Sequence, residues 1–132
     1  MRIGVIGAGH IGGTAAKLFA EAGHQVAVAN SRGPSSLGGL VASLGPKARA
    51  LSPEEAVKFG EVVLLAIPWR RKEELPPGEL FAGKIVIDAM NPYSATGGII
   101  DLGKATSSEE VAKFEVEASR NRLSGVLLAA AA

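Results

Sequence analysis

The stretch Arg2-Ile3-Gly4-Val5-Ile6-Gly7-Ala8-Gly9-His10-Ile11-Gly12 decides the fold. Residues 2–6 form a short apolar run that ends in glycine, the pattern of a buried strand. A helical pattern follows at once. Ile11, Ala15, Leu18, Phe19 and Ala22 recur at helical spacing, and Gly23 stands where such a helix would end. The three glycines of the joining turn have separate physical tasks. Gly7 permits the tight turn, Gly9 lets a pyrophosphate approach the backbone, and Gly12 lets helix and strand pack closely. The first helical turn then offers free amide groups and the positive end of its dipole.

Outward from this unit the alternation continues. Residues 25–29 read as a second strand, and Asn30-Ser31-Arg32-Gly33-Pro34 as a turn. A helix starting near Ser35 carries the stripe Leu37, Leu40, Val41 and Leu44 and stops at Gly45-Pro46. Gly38 and Gly39 each cost it about 1 kcal/mol relative to alanine, so it is expected to be the weaker helix. Residues 47–51 can make a short third strand. Ser52-Pro53-Glu54-Glu55 is a capping box with proline at the first helical position, predicting a helix to Phe59. Residues 61–67 are continuously apolar after Glu61, as in a central parallel strand covered on both faces. Residues 71–83 are charged and proline-rich and read as a helical turn followed by a loop, 85–88 as a fifth strand, and 94–103 as a loop. A last helix is expected from near Ser107, with Glu109 and Glu110 complementing its dipole. The pattern predicts an α/β fold: a Rossmann-type, three-layer, doubly wound parallel sheet of about five strands, with right-handed crossovers and a C-terminal helix.

Composition narrows the chemistry. With 132 residues, 47% of them hydrophobic and 20% charged, the chain can bury the core of one domain. A net charge of +1 points to neither a nucleic-acid nor an anionic-membrane surface. Absence of cysteine removes disulfides, thiol catalysis and thiolate metal sites, and two histidines without clustered carboxylates suggest no metal centre. The longest apolar runs are too short to cross a bilayer, and the N-terminus does not read as a signal peptide, so a cytoplasmic location is expected.

The end of the second strand bears on which dinucleotide is held. An NAD site usually carries an acidic residue about 20 residues beyond the glycines. Here Asn30, Ser31 and Arg32 stand instead: no carboxylate to repel a 2′-phosphate, and a hydroxyl and guanidinium to accept one. NADP(H) is the expected cofactor. Ile67-Pro68-Trp69 and Asn91-Pro92 follow two other strand ends that open on the same crevice, their prolines fixing the loop backbone. Trp69 reads equally as a ligand contact or as a hydrophobic cover on the sheet edge. His10 either touches a phosphate or is simply exposed, His24 reads as structural, and Arg70 and Arg71 read as solvated. Asp88 has the alternative of accepting hydrogen bonds from loop amides. No strand end offers a clear acid–base set, so no catalytic residue is named. Such a site suits hydride exchange between cofactors, where the protein mainly positions the reactants.

Gly7-Ala8-Gly9-His10-Ile11-Gly12, Ala29-Asn30-Ser31-Arg32-Gly33-Pro34, Ala66-Ile67-Pro68-Trp69 and Ile87-Asp88-Ala89-Met90-Asn91-Pro92 together resemble the NADPH-dependent deazaflavin reductases, the coenzyme F420:NADP oxidoreductases. The resemblance runs from Met1 to about Lys113. It implies a dinucleotide site formed by Gly7, Gly9, His10, Ile11, Gly12, Asn30, Ser31, Arg32, Ile67, Pro68, Trp69, Asn91 and Pro92. It further implies that Ser31 and Arg32 hold the 2′-phosphate, and that NADPH exchanges hydride with a deazaflavin or flavin. Met90 departs from the family's frequent threonine, and no further basic residue follows around Ser35-Ser36. Beyond Phe114 the resemblance ends. The expected organisation is therefore a 1–113 NADP-binding domain and a 114–132 helical tail, with no sixth apolar strand and no C-terminal substrate domain. An NADP-binding module or sensor without its own turnover is the alternative. Val111, Phe114 and Ala118, with Val126-Leu127, predict an apolar strip on the tail and a homodimer formed through it.

Overall fold

In a computed structural model the protein's described residues are 1–90 and 126–128. Strands β1 (Arg2–Ile6), β2 (Gln25–Ala29), β3 (Ala48–Ala50), β4 (Val62–Leu65), β5 (Ile85–Asp88) and β6 (Val126–Leu128) form one sheet in the order β3-β2-β1-β4-β5-β6. All five pairings are parallel, with β1 between β2 and β4 (Val5 faces Val28 on one side and Leu64 on the other). Helices α1 (His10–Glu21), α2 (Gly38–Leu44) and α3 (Pro53–Phe59) connect them. The five strands expected from the sequence are all present.

The sixth strand corrects one expectation. Val126–Leu128 pairs with Val86, Ile87 and Asp88 of β5, where the sequence reading placed these residues in a helical tail and found no sixth strand. Three apolar residues running into alanines carry no strand signal of their own. The open edge of β5 supplies the hydrogen-bonding partner that makes them one. The helix expected from near Ser107, and the strip Val111, Phe114 and Ala118, lie outside the described residues.

The sheet is covered on both faces, so its strands lack the apolar–polar alternation of a one-sided sheet. One face packs Ile3, Val5, Val26, Val28 and Leu64 against Ala16 of α1 and Leu37. The other packs Ile6, Ala27, Val63 and Leu65 against Ala56 and Val57 of α3 and against Phe81. Phe81 is fully buried, which stabilises the fold by about 1.5–3 kcal/mol. It comes from a segment, 71–83, whose composition suggested only a helical turn and a loop. Two 3₁₀ helices, Trp69–Glu74 and Gly78–Phe81, give that segment its shape. α2 is the weak helix expected: seven residues long, introduced by a 3₁₀ turn (Pro34–Leu37), with no fully buried side chain.

Backbone contact sets the spacing of the layers. A Cβ at Gly4 would stand 2.3 Å from the carbonyl oxygen of Ala56, so α3 rests directly on β1. Among the described residues no helix is long and apolar enough to cross a membrane.

The capping box read from the sequence is formed. Ser52 Oγ accepts from the Glu55 amide (3.2 Å), and Glu55 Oε1 accepts from the Ser52 amide (3.2 Å). The Ser52 hydrogen bonds hold the Glu55 carboxyl below its ordinary pKa. A depressed carboxylate pKa contributes stability above its unfolded value and loses it as pH falls through the folded one. Ser52→Ala is expected to lower unfolding stability by about 1 kcal/mol near neutral pH. In urea denaturation the difference between variant and wild type should narrow below about pH 4.5.

Candidate active site

Parallel strands expose their carboxyl ends on one edge of the sheet, and the chain winds from β1 through β2 to β3 on one side before crossing back to β4 on the other. A crevice opens at such a switch point. Here it is a cleft of about 690 Å³, within the range of small-molecule and cofactor sites. Four segments line it: 7–11 after β1, Asn30 to Arg32 after β2, Pro53 at the start of α3, and Ala66, Ile67, Pro68, Arg70, Arg71 and Glu74 after β4, with Ala89 beyond β5.

The turn after β1 is held by backbone. Gly7 sits at φ +108°, and its amide donates to the Ala29 carbonyl at 2.8 Å. A Cβ there would lie 2.6 Å from the Ala66 oxygen, and one on Gly12 only 1.8 Å from the Gly7 oxygen. Gly9 differs, because a Cβ on it would meet nothing within 4 Å. Space lies over its backbone. Helix α1 begins here with no side-chain cap, and the first helical bond runs from the Gly13 amide to the Gly9 carbonyl (2.7 Å). The preceding amides of the first turn, with the helix dipole, suit this end of the cleft to an anion. His10 and Ile11 are exposed on its rim, with Ile11 39% accessible, whereas Gly12 is buried beneath it.

The turn after β2 is ordered by Asn30. Its Oδ1 accepts from the Arg32 amide (3.2 Å) and the Gly33 amide (3.0 Å), and its Nδ2 donates to Ser36 Oγ (2.9 Å). Ser36 Oγ closes the loop by donating to the Gly33 carbonyl (2.7 Å). The Asn30 side chain is thus engaged by the turn itself, a task the sequence reading did not assign to it. Ser31 and Arg32 are left exposed on the cleft. Among the described residues the Arg32 guanidinium has no carboxylate partner.

The loop after β4 contributes more than the sequence suggested. Ile67 and Pro68 line the cleft as expected, and Trp69 is the first residue of the following 3₁₀ helix. Arg70 and Arg71 are exposed, as expected, but both stand on the cleft wall. Arg71 is bound to Glu74 through both nitrogens of one edge, Nε to Oε2 and Nη2 to Oε1, the latter at 2.9 Å. That pairing holds the Glu74 carboxyl below its ordinary range and raises the Arg71 guanidinium above its own. Position at a strand's carboxyl end was the available signal for these residues. Asp88 takes the structural alternative: buried, it accepts from the Met90 amide at 2.8 Å, while Oδ2 has no partner among the described residues. His24 is half-buried in the turn before β2. Asn91 and Pro92 lie outside the described residues. No group of three or more His, Asp or Glu able to hold a metal occurs among the described residues.

The contrast between two glycines is testable. Gly12→Ala should cost at least about 3 kcal/mol, because the methyl group meets the Gly7 carbonyl. Gly9→Ala should change stability by no more than about 1 kcal/mol, because the space is open. Urea denaturation of the two variants measures both.

Comparison with known proteins agrees with this geometry. No curated protein matches the chain by sequence. Among solved structures, the hypothetical protein SMa0349 from Sinorhizobium meliloti is 30% identical over 86% of this chain, with a TM-score of 0.71. A protein from Arthrobacter sp. FB24 described as an F420-dependent NADP-reductase is 23% identical over 89%, with a TM-score of 0.76. An imine reductase from Myxococcus stipitatus in complex with NADP+ is 17% identical over 97%, with a TM-score of 0.67; like the previous likeness, it speaks for the fold. The chain spans 56%, 59% and 39% of those three proteins. Residues 2–92, which carry the glycine turn, the Asn30-Ser31-Arg32 turn and the β4 loop, match the family described as NADP oxidoreductase coenzyme F420-dependent, and the chain belongs to that family.

Proposed function

We propose that the chain is the NADP(H)-binding domain of an oxidoreductase that passes hydride between NADPH and a deazaflavin or flavin. The observation that carries this reading is the turn ordered by Asn30, which leaves Ser31 and Arg32, without a carboxylate partner among the described residues, on the cleft that starts at the uncapped end of α1. The first-turn amides at Gly9 would hold the pyrophosphate, with His10 and Ile11 at the rim of that end. Ser31 Oγ and the Arg32 guanidinium would hold the 2′-phosphate, in a turn that Asn30 orders. Ile67 and Pro68 would line the nicotinamide end, and by the family resemblance we assign Trp69, Asn91 and Pro92 to it as well.

NADPH supplies a hydride and becomes NADP+, while the acceptor takes that hydride together with a proton from solvent. The chain's own part is to bind and orient: no side chain needs to donate or accept a proton in the transfer itself. The alternative is an NADP-binding module without turnover of its own, since no acid–base set stands at the strand ends among the described residues. NADPH oxidation assayed with deazaflavin and flavin acceptors separates the two, because binding without turnover sinks the enzyme reading. A homodimer formed through the tail belongs to the same proposal. Light scattering that gives a clean monomer at micromolar concentration would count against it.

Wild type is expected to bind NADPH more tightly than NADH, and Arg32→Ala should weaken NADPH about 10- to 100-fold with little change for NADH. Fluorescence titration measures both, and equal wild-type affinities would overturn the NADP preference.

A further inference from the structure

Among the described residues, two cations on the cleft, on opposite flanks of the glycine turn, have no carboxylate partner, and a 2′-phosphate accounts for one of them. Arg32 follows β2 and Arg70 follows β4, with β1 between those strands. Neighbouring strands stand about 4.8 Å apart, so the two strand ends are separated by roughly 10 Å. Arg71, next in sequence, is neutralised by Glu74, the one carboxylate among the described residues lining the cleft. Arg70 has no ion pair or side-chain hydrogen bond among the described residues, although it is exposed on the same wall. Pro68 and the 3₁₀ helix fix the backbone from which it projects. A guanidinium offers a planar fork of donors suited to phosphate or carboxylate, and desolvation on one side strengthens that contact.

On the proposed reading, the dinucleotide places its anions at α1 and at Arg32, and near β4 only its ribose and nicotinamide, which carry no negative charge. We propose that Arg70 binds an anionic group, a phosphate or carboxylate, on the second molecule that shares the cleft with the dinucleotide. Arg70 is then the residue that selects acidic acceptors over neutral ones of the same ring system. This inference rests on the NADP reading and extends it to the other substrate.

The test uses flavin mononucleotide and riboflavin, which differ by one phosphate, titrated into the full chain saturated with NADP+ and followed by flavin fluorescence. Wild type should bind flavin mononucleotide at least about tenfold more tightly than riboflavin. Arg70→Gln should remove that preference, Arg70→Lys should retain part of it, and Arg71→Gln should leave it within about twofold. NADPH affinity should be unchanged in Arg70→Gln. An absent preference in wild type overturns the proposal, as does a loss of preference in Arg71→Gln but not in Arg70→Gln. A loss of NADPH affinity in Arg70→Gln comparable to that of Arg32→Ala would assign Arg70 to the dinucleotide's own phosphates and overturn it too. Failure of wild type to bind NADPH at all would overturn the parent reading, whereas NADPH binding without flavin discrimination overturns this one alone.

Discussion

The fold depends on backbone meeting backbone around β1. Gly12 of α1 lies against the Gly7 carbonyl, Gly7 against the Ala66 carbonyl, and Gly4 against the Ala56 carbonyl. At each of these places a single methyl group would overlap an atom that belongs to the main chain and cannot rotate away. The contacts draw α1, α3 and the β4 loop onto one strand. They also decide where the first turn of α1 points, because a helix packed this closely has little freedom to tilt. Its uncapped amides face the cleft as a consequence of packing.

Sheet topology turns that local fact into a site. With β2 and β4 on either side of β1, three loops converge on one edge, each rooted in a strand with buried residues. A rigid two-sided core holds loops that are themselves short and polar. Charge is distributed accordingly: Arg32 on one flank, Arg70 and the internally paired Arg71 on the other, and the helix end between them. Positive charge is spread across the cleft instead of concentrated in one patch.

Much of this was legible in sequence because it rests on local rules. The capping box at Ser52 and Glu55 needs only four consecutive residues, and the glycine turn needs six; both formed as read. α2, whose two glycines lower its helix propensity, is seven residues long with no buried residue. Other features were hidden because they depend on partners distant in the chain. Asn30 looked like a ligand contact, yet its amide is used by Arg32, Gly33 and Ser36, which the turn brings round to it. Phe81 sat in a segment with no regular pattern, and became fully buried because Gly78–Phe81 packs it against the α3 face.

The sequence by itself determined the strand–turn–helix units, since hydrophobic period, capping residues and glycine placement are properties of neighbouring positions. It also determined which side chains could meet a phosphate, because charge and hydrogen-bonding capacity belong to residue type. Only the tertiary structure decided which of them share a cleft, which are already engaged and which stand free. Arg70 and Arg71 are identical in sequence chemistry, and the difference between them arises when a 3₁₀ turn brings Glu74 to one and not the other. Tertiary pairing likewise made a strand of Val126–Leu128, because an unpaired edge on β5 offers hydrogen bonds that local propensity cannot anticipate.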